Sequence, residues 1–271
     1  TLIGRLGGSA GTEAAVLRAL TWISSKQESD GHWSNAKHGG QANHESGATA
    51  LSLLCLLGRG HTHTDANPYQ ESVDKGLTWM LGMMKPNGDL RNGNHNNGMY
   101  DQGMATMALA EAYGLSRDPA LREPLQRAVD FIVKAQNKKD GGWRYKPGEG
   151  GDTSVFGWQV MALSSAQALG INVPDETFEK ARSWLKRVSG GKNKGLFGYT
   201  GSSPTATMTA EGMFCSQLLG VEQADTRMLE SAEFIGRTKL DENGSPFFYY
   251  VYYSTLSLYH HHGDTWNVWN R

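Results

Sequence analysis

Apolar and polar positions along this chain alternate between two kinds of helical segment, and the alternation repeats. The first kind keeps apolar residues on one stripe and charges on the other, as in RALTWISSKQ, KGLTWMLGMM, RAVDFIVKAQ, KARSWLKRV and ESAEFIGR. Such a stripe predicts a helix lying between core and solvent. Each carries an aromatic (Trp22, Trp79, Phe131, Trp184, Phe234), recurring every 50 to 57 residues. The second kind reads GATALSLLCLLG, GMATMALAEAYG, WQVMALSSAQALG, TAEGMFCSQLLG and YSTLSLYHHHG. It is apolar or small nearly all round, which predicts buried helices.

Glycines punctuate the pattern. Gly31, Gly88, Gly141, Gly195 and Gly244 follow the aromatics by 9 to 11 residues. The second helices are expected to stop at Gly58, Gly114, Gly170, Gly220 and Gly263, each placed as a left-handed cap. A repeat of this length made of helix, Gly loop and helix predicts an all-α protein of stacked hairpins. Outer amphipathic helices and inner apolar ones would form two concentric layers, closing into an α/α toroid of five to six hairpins. Residues 3–13 and 264–271 are candidates for the sixth, and residues 1–271 read as one domain. An open solenoid is the alternative; helices apolar on every side favour closure.

Composition narrows the partners. The formal net charge is −1 and no Lys/Arg run occurs, so neither nucleic acid nor an anionic membrane is expected as a partner. No apolar run reaches the ~18 residues of a membrane span and no signal peptide is visible. The chain opens at Thr1 rather than Met, so a fragment of a longer bacterial protein is expected. Compartment and oligomeric state are open. Cys55 and Cys215 sit in apolar stretches and read as buried free thiols.

Two repeat copies carry a more specific signature. Arg18-Ala19-x-x-Trp22-Ile23-x-x-x-Gln27-x-x-x-Gly31-x-Trp33 resembles the QW repeat of squalene–hopene and oxidosqualene cyclases. Arg127-Ala128-x-x-Phe131-Ile132-x-x-x-Gln136, followed by Gly141-Gly142-Trp143, resembles it with one residue inserted. The Lys75–Leu90 copy has Met84 and Leu90 in place of Gln and Trp. The chain is thus similar to the prenyltransferase and squalene-cyclase repeat superfamily, in a single-domain form. That resemblance implies the toroid, with the N-termini of the inner helices gathered at one mouth, and an isoprenoid or other small molecule in the central cavity. Gln27, Trp33, Gln136 and Trp143 would be staples between repeats.

Candidate chemistry lies in the first turns of the inner helices. Setting the closing glycines in register puts Glu45, Asp101, Gly157, Thr207 and Tyr250 at one level. His44, Tyr100, Phe156, Ala206 and Tyr249 fall one residue earlier, and Glu211 falls one turn deeper. Glu45 and Asp101 read equally as first-turn charges or site residues. Glu211 lies in an otherwise apolar helix and needs a partner or a function. Asp152 matches the last Asp of the cyclases' Asp-x-Asp-Asp-Thr-Ala motif, but Gly151 occupies the proton donor's position. Asp152, Asp101, Glu211 and Glu45 are therefore the candidate catalytic residues. His44, His95, Tyr100, Trp158, Tyr249, Tyr250 and Tyr253 are the candidate ligand-binding residues.

No metal set and no cofactor is expected, and His260-His261-His262 reads as a helix C-terminus. The loop Arg91–Asn97 offers amides suited to hydroxyl-rich ligands. Three functions follow: an isoprenoid-binding or isoprenoid-cyclising protein, a non-catalytic ligand- or protein-binding toroid, and a polysaccharide-active α/α-barrel enzyme. The residues leave open whether the protein is catalytic.

Overall fold

The structure is a computed structural model, and it describes residues 8–93, 96–238 and 247–270. The outer helices are α1 (Ala10–Ser25), α3 (Gln70–Met83), α5 (Arg122–Ala135), α7 (Asp175–Val188) and α9 (Thr226–Arg237). The inner helices are α2 (Glu45–Gly58), α4 (Gly98–Ser116), α6 (Thr153–Ala168), α8 (Ala206–Leu218) and α10 (Phe247–His261). A short α11 (Gly263–Trp269) and a two-stranded ribbon, β1 (Ser189–Gly190) with β2 (Leu196–Phe197), complete the described elements. The chain divides into two compact units. Unit 1 comprises Thr1–Ala135, Tyr145–Pro147 and Ala162–Val173; unit 2 comprises Gln136–Arg144, Gly148–Met161 and Pro174–Arg271.

Each unit buries its inner helices as the apolar pattern demands. In unit 1, α2 packs along α4, with Ala50, Leu53, Ala105, Ala108 and Leu109 fully buried. In unit 2, α8 packs along α10, burying Ala210, Met213, Tyr253 and Leu258. The outer helices keep acid-to-base pairs one turn apart on their solvent side: Glu71–Lys75, Glu123–Arg127, Glu176–Lys180 and Glu233–Arg237. With the acid N-terminal, each pair has the orientation that favours its helix.

The loop glycines are where one hairpin meets the next. A Cβ on Gly31 would overlap the carbonyl of Lys75, one on Gly88 that of Arg127, one on Gly141 that of Lys180, and one on Gly195 that of Arg227. The repeat therefore needs glycine because a backbone passes where a side chain would stand. A side chain then ties the same loop carbonyl. Gln27 Nε2 donates to Gly31 O and Ser72 O, both at 2.8 Å. Gln136 Nε2 donates to Gly141 O at 2.9 Å and Thr177 O at 3.0 Å. Trp33 and Trp143 are 4% and 1% exposed, so these four residues do hold repeats together.

At the copy with Met84, the inner helix supplies the missing amide. Gln102 Nε2 donates to Gly88 O at 3.0 Å and Ala128 O at 3.3 Å, and its Oε1 accepts from Leu90 N at 2.7 Å.

Three expectations change. Gly58 lies inside α2, and Gly60 takes the positive φ beyond it. Gly114 lies inside α4, packed against Leu169, while Arg117 takes the left-handed cap at φ 54. α2 ends on Gly58 itself, and α4 runs two residues past Gly114 to Ser116. Cys215 is buried, but Cys55 is exposed, on the solvent side of α2.

Asp89, just after the second loop, illustrates how these loops are locked. Burial would raise its pKa, yet hydrogen bonds from Arg91 and Lys85 outweigh that and hold it at about 2. Because the folded value lies below the unfolded 3.8, this stabilisation is complete above about pH 4 and lost as pH falls towards 2. Asp89→Asn is expected to cost about 2 kcal/mol at pH 7 and much less near pH 2. Urea unfolding of both proteins at the two pH values checks it.

Candidate functional site

In unit 1 the sequence-predicted residues separate. His44 is the residue before α2, and Asp101 lies in the first turn of α4. His44 Nδ1 meets Asp101 Oδ1 at 2.9 Å. The carboxylate side chain is only 2% exposed, the imidazole 22%. Gly47, one residue short of a turn beyond His44, makes this possible: a Cβ there would press on Asp101 Oδ1. A carboxylate accepting from Nδ1 fixes the imidazole's tautomer and its orientation. Tyr100 pairs with Tyr145, ring centroids 6.1 Å apart at 38°.

Glu45 shares the level of Asp101 in sequence register but faces elsewhere. Its carboxylate accepts from Asn35 N at 2.5 Å and Ser34 Oγ at 3.2 Å, closing the 34–45 loop. Arg91 is drawn into the Asp89 pair and lies over the Phe131 ring, 5.0 Å from its centroid. It is a packing residue, not part of an amide rim. His95 lies outside the described residues.

In unit 2, Asp152 caps α6. Its Oδ1 accepts from Val155 N and Ser154 Oγ, both at 2.8 Å, and Arg144 Nε lies 3.5 Å from Oδ2. Burial pushes its pKa up, against the pull of Val155, Ser154 and the Arg144 charge. Gly151 carries no side chain for a physical reason: a Cβ would stand 2.9 Å from Gly142 Cα and from the Trp184 ring.

Glu211 is fully buried on α8, against Gly157 of α6, where any side chain would collide with it. Tyr249 Oη donates to Ser154 O at 2.9 Å and lies 3.4 Å from Glu211 Oε1. Burial raises the Glu211 pKa well above the carboxylate range; the tyrosine hydroxyls oppose this and the Asp152 charge adds to it.

The other predicted ligand residues of unit 2 lie in its core. Tyr253 is fully buried, Trp158 is 3% exposed, and Tyr250 turns to Ile235 O at 3.2 Å. Trp158 stacks on Tyr252, centroids 5.7 Å apart. A run of aromatics on one helix cannot present every ring to one side: Phe248 and Tyr252 are exposed and Tyr249 half-buried, while Tyr250 and Tyr253 are buried. Register alone did not pair each glycine with the carboxylate it seats, because the two lie on different helices. The signal was there, since Gly47 and Gly157 each stand one turn or less from the level of the carboxylates they receive. Among the described residues, no three His, Cys, Asp or Glu side chains come together as a metal site. None of the described helices is long and apolar enough to cross a membrane.

Comparison with known proteins decides the fold. The GH76A α-1,6-mannanase of Salegentibacter sp. HEL1_6 is similar with a TM-score of 0.65 at 16% identity, covering 94% of this chain and 83% of that one. Two inactive variants of it, in complex with α-1,6-mannotriose and with α-1,6-mannotetrose, are similar with a TM-score of 0.67 at 15% identity over the same shares. The fold is an α/α barrel. No family model matches the chain, and no curated protein does.

These findings overturn the resemblance to squalene cyclases and prenyltransferases, and with it the isoprenoid cavity. Solved structures of an α-1,6-mannanase share the fold over nearly the whole chain. The glutamine–tryptophan signature is a solution to packing, tying a loop carbonyl and filling the gap between hairpins. It therefore reports stacked helical hairpins rather than cyclase chemistry.

Proposed function

We propose that this chain is a polysaccharide-active α/α-barrel protein that takes an oligosaccharide at the Tyr100–Tyr145 side of unit 1. The observation that carries the reading is the likeness, over 94% of the chain, to a mannanase whose variants hold mannose oligomers. The chemistry of unit 1 supports it. Sugars are held by aromatic faces together with fixed polar groups, and here an oriented imidazole stands over a buried carboxylate. The inactive mannanase variants carry replacements at two consecutively numbered aspartates. Nowhere in the 271 residues of this chain do two aspartates adjoin. Glycan recognition therefore carries the proposal, with Asp101 and His44 the candidate pair for any bond cleavage.

Isothermal titration with α-1,6-mannotriose tests the reading, alongside chromatography for shortened products. Tyr100→Ala is expected to weaken binding about tenfold, the loss of one stacking face. His44→Gln, which keeps an amide donor for Asp101, is expected to retain binding and to abolish any product. A flat titration against this trisaccharide and longer α-1,6-mannans would sink the proposal.

A further inference from the structure

Unit 2 carries a surface groove that the glycan reading does not use. It has a volume of ≈ 910 Å³ and is lined by α7, Lys194 and Phe197 around β2, the α8–α9 turn and the start of α9. Its floor is apolar: Leu185, Phe197, Leu219 and Val221. Its rim carries four cations and two carboxylates, Glu222 and Asp225. Arg182 and Lys186 stand one turn apart on α7, and Lys194 and Arg227 line the facing wall.

We propose that this groove docks an acidic amphipathic helix of a partner protein, apolar stripe down and carboxylates on both flanks. Cations at i and i+4 on α7 are spaced to meet carboxylates one turn apart on a helix lying alongside. The second pair, Lys194 and Arg227, serves the opposite flank, as flanking charges do in helix pairs. Arg182 and Arg227 already hold Glu179 and Asp225, at 2.9 and 2.6 Å. Lys186 and Lys194 make no ion pair among the described residues and supply the uncompensated charge. Glu222 at one end of the groove gives the occupant a direction, since its carboxylate repels an acidic end.

Lys194 is also held in place at a cost. Its φ of 63 is left-handed, a conformation uncommon for lysine. The Glu230 carboxylate imposes it, accepting from Lys192 N, Asn193 N and Gly195 N at 2.7, 3.0 and 2.8 Å. The loop is thereby fixed with Lys194 at the groove's edge.

The test uses a fluorescent synthetic peptide of about four helical turns, with leucines on one stripe and glutamates on both flanks. Its scrambled form and a lysine-flanked form are the comparisons. Anisotropy with the full chain is expected to show binding of the acidic helix alone. A Lys186→Glu/Lys194→Glu double variant, changed only at exposed side chains, is expected to weaken it at least tenfold. Leu-to-Ser changes in the peptide stripe are expected to abolish it. Equal binding of the scrambled peptide overturns the proposal, as does a double variant that binds within twofold of the parent. Binding confined to phosphatidylserine vesicles, with the peptide ignored, overturns it too.

Discussion

Gly88→Ala is expected to unfold at a markedly lower urea concentration than the parent, losing about 3–5 kcal/mol. Two costs add. The residue sits at φ 85, where a Cβ meets the following carbonyl, worth about 1–2 kcal/mol. The new methyl also overlaps the Arg127 carbonyl carbon and oxygen, which belong to the backbone of α5 and cannot swing away. Moving α5 aside would break the Gln102 bonds to Gly88 and Ala128 that clamp the same joint. Gly60→Ala is the control. Gly60 has nearly the same φ, 86, but nothing lies within 4 Å of its Cβ position. It should lose only the conformational part, about 1 kcal/mol. Equal losses in the two variants would show that loop conformation, not close approach, sets the glycine.

Glu211→Gln is expected to be as stable as the parent at pH 5 and increasingly more stable as pH rises. Burial holds the Glu211 carboxyl protonated well above its ordinary range, against the pull of Tyr253 and Tyr249. A folded pKa raised above the unfolded 4.5 gives a contribution present below that value, and lost as pH rises through the folded pKa. The parent therefore loses stability on the alkaline side, while glutamine, neutral throughout, does not. Glu211→Ala behaves differently. It opens a void between α6 and α8 and strips the Tyr249 hydroxyl of a neighbour, costing about 2–4 kcal/mol at every pH. Thermal unfolding of the three proteins at pH 5, 7 and 9 separates these behaviours. A parent whose midpoint is flat from pH 5 to 9 would mean that Glu211 is ionised and compensated.

Much of this protein was legible in its sequence because its information is periodic. Helix stripes, aromatics every 50-odd residues and loop glycines are local signals, and they sufficed for an all-α protein of repeated hairpins. The staples were legible too, since Gln27 and Gln136 bond within or next to their own repeat. What failed was inference from a motif to a family. A glutamine and a tryptophan that satisfy a carbonyl and fill a gap suit any stack of such hairpins, so they carry fold and not chemistry.

The carboxylates needed the third dimension. Glu45 and Asp101 share a register level, yet one closes its own loop and the other grips His44 from the neighbouring helix. Which way a first-turn side chain turns depends on whether the adjacent helix offers it room, and that room is a glycine more than fifty residues away. By itself the sequence determined the helices, their two layers and their spacing, because periodicity and turn chemistry act over a few residues. Only the tertiary structure decided that Gly47 seats Asp101, that Gly157 seats Glu211 and that Gln102 stands in for the missing amide. Those are contacts between distant segments, and no local pattern encodes which segment will be the neighbour.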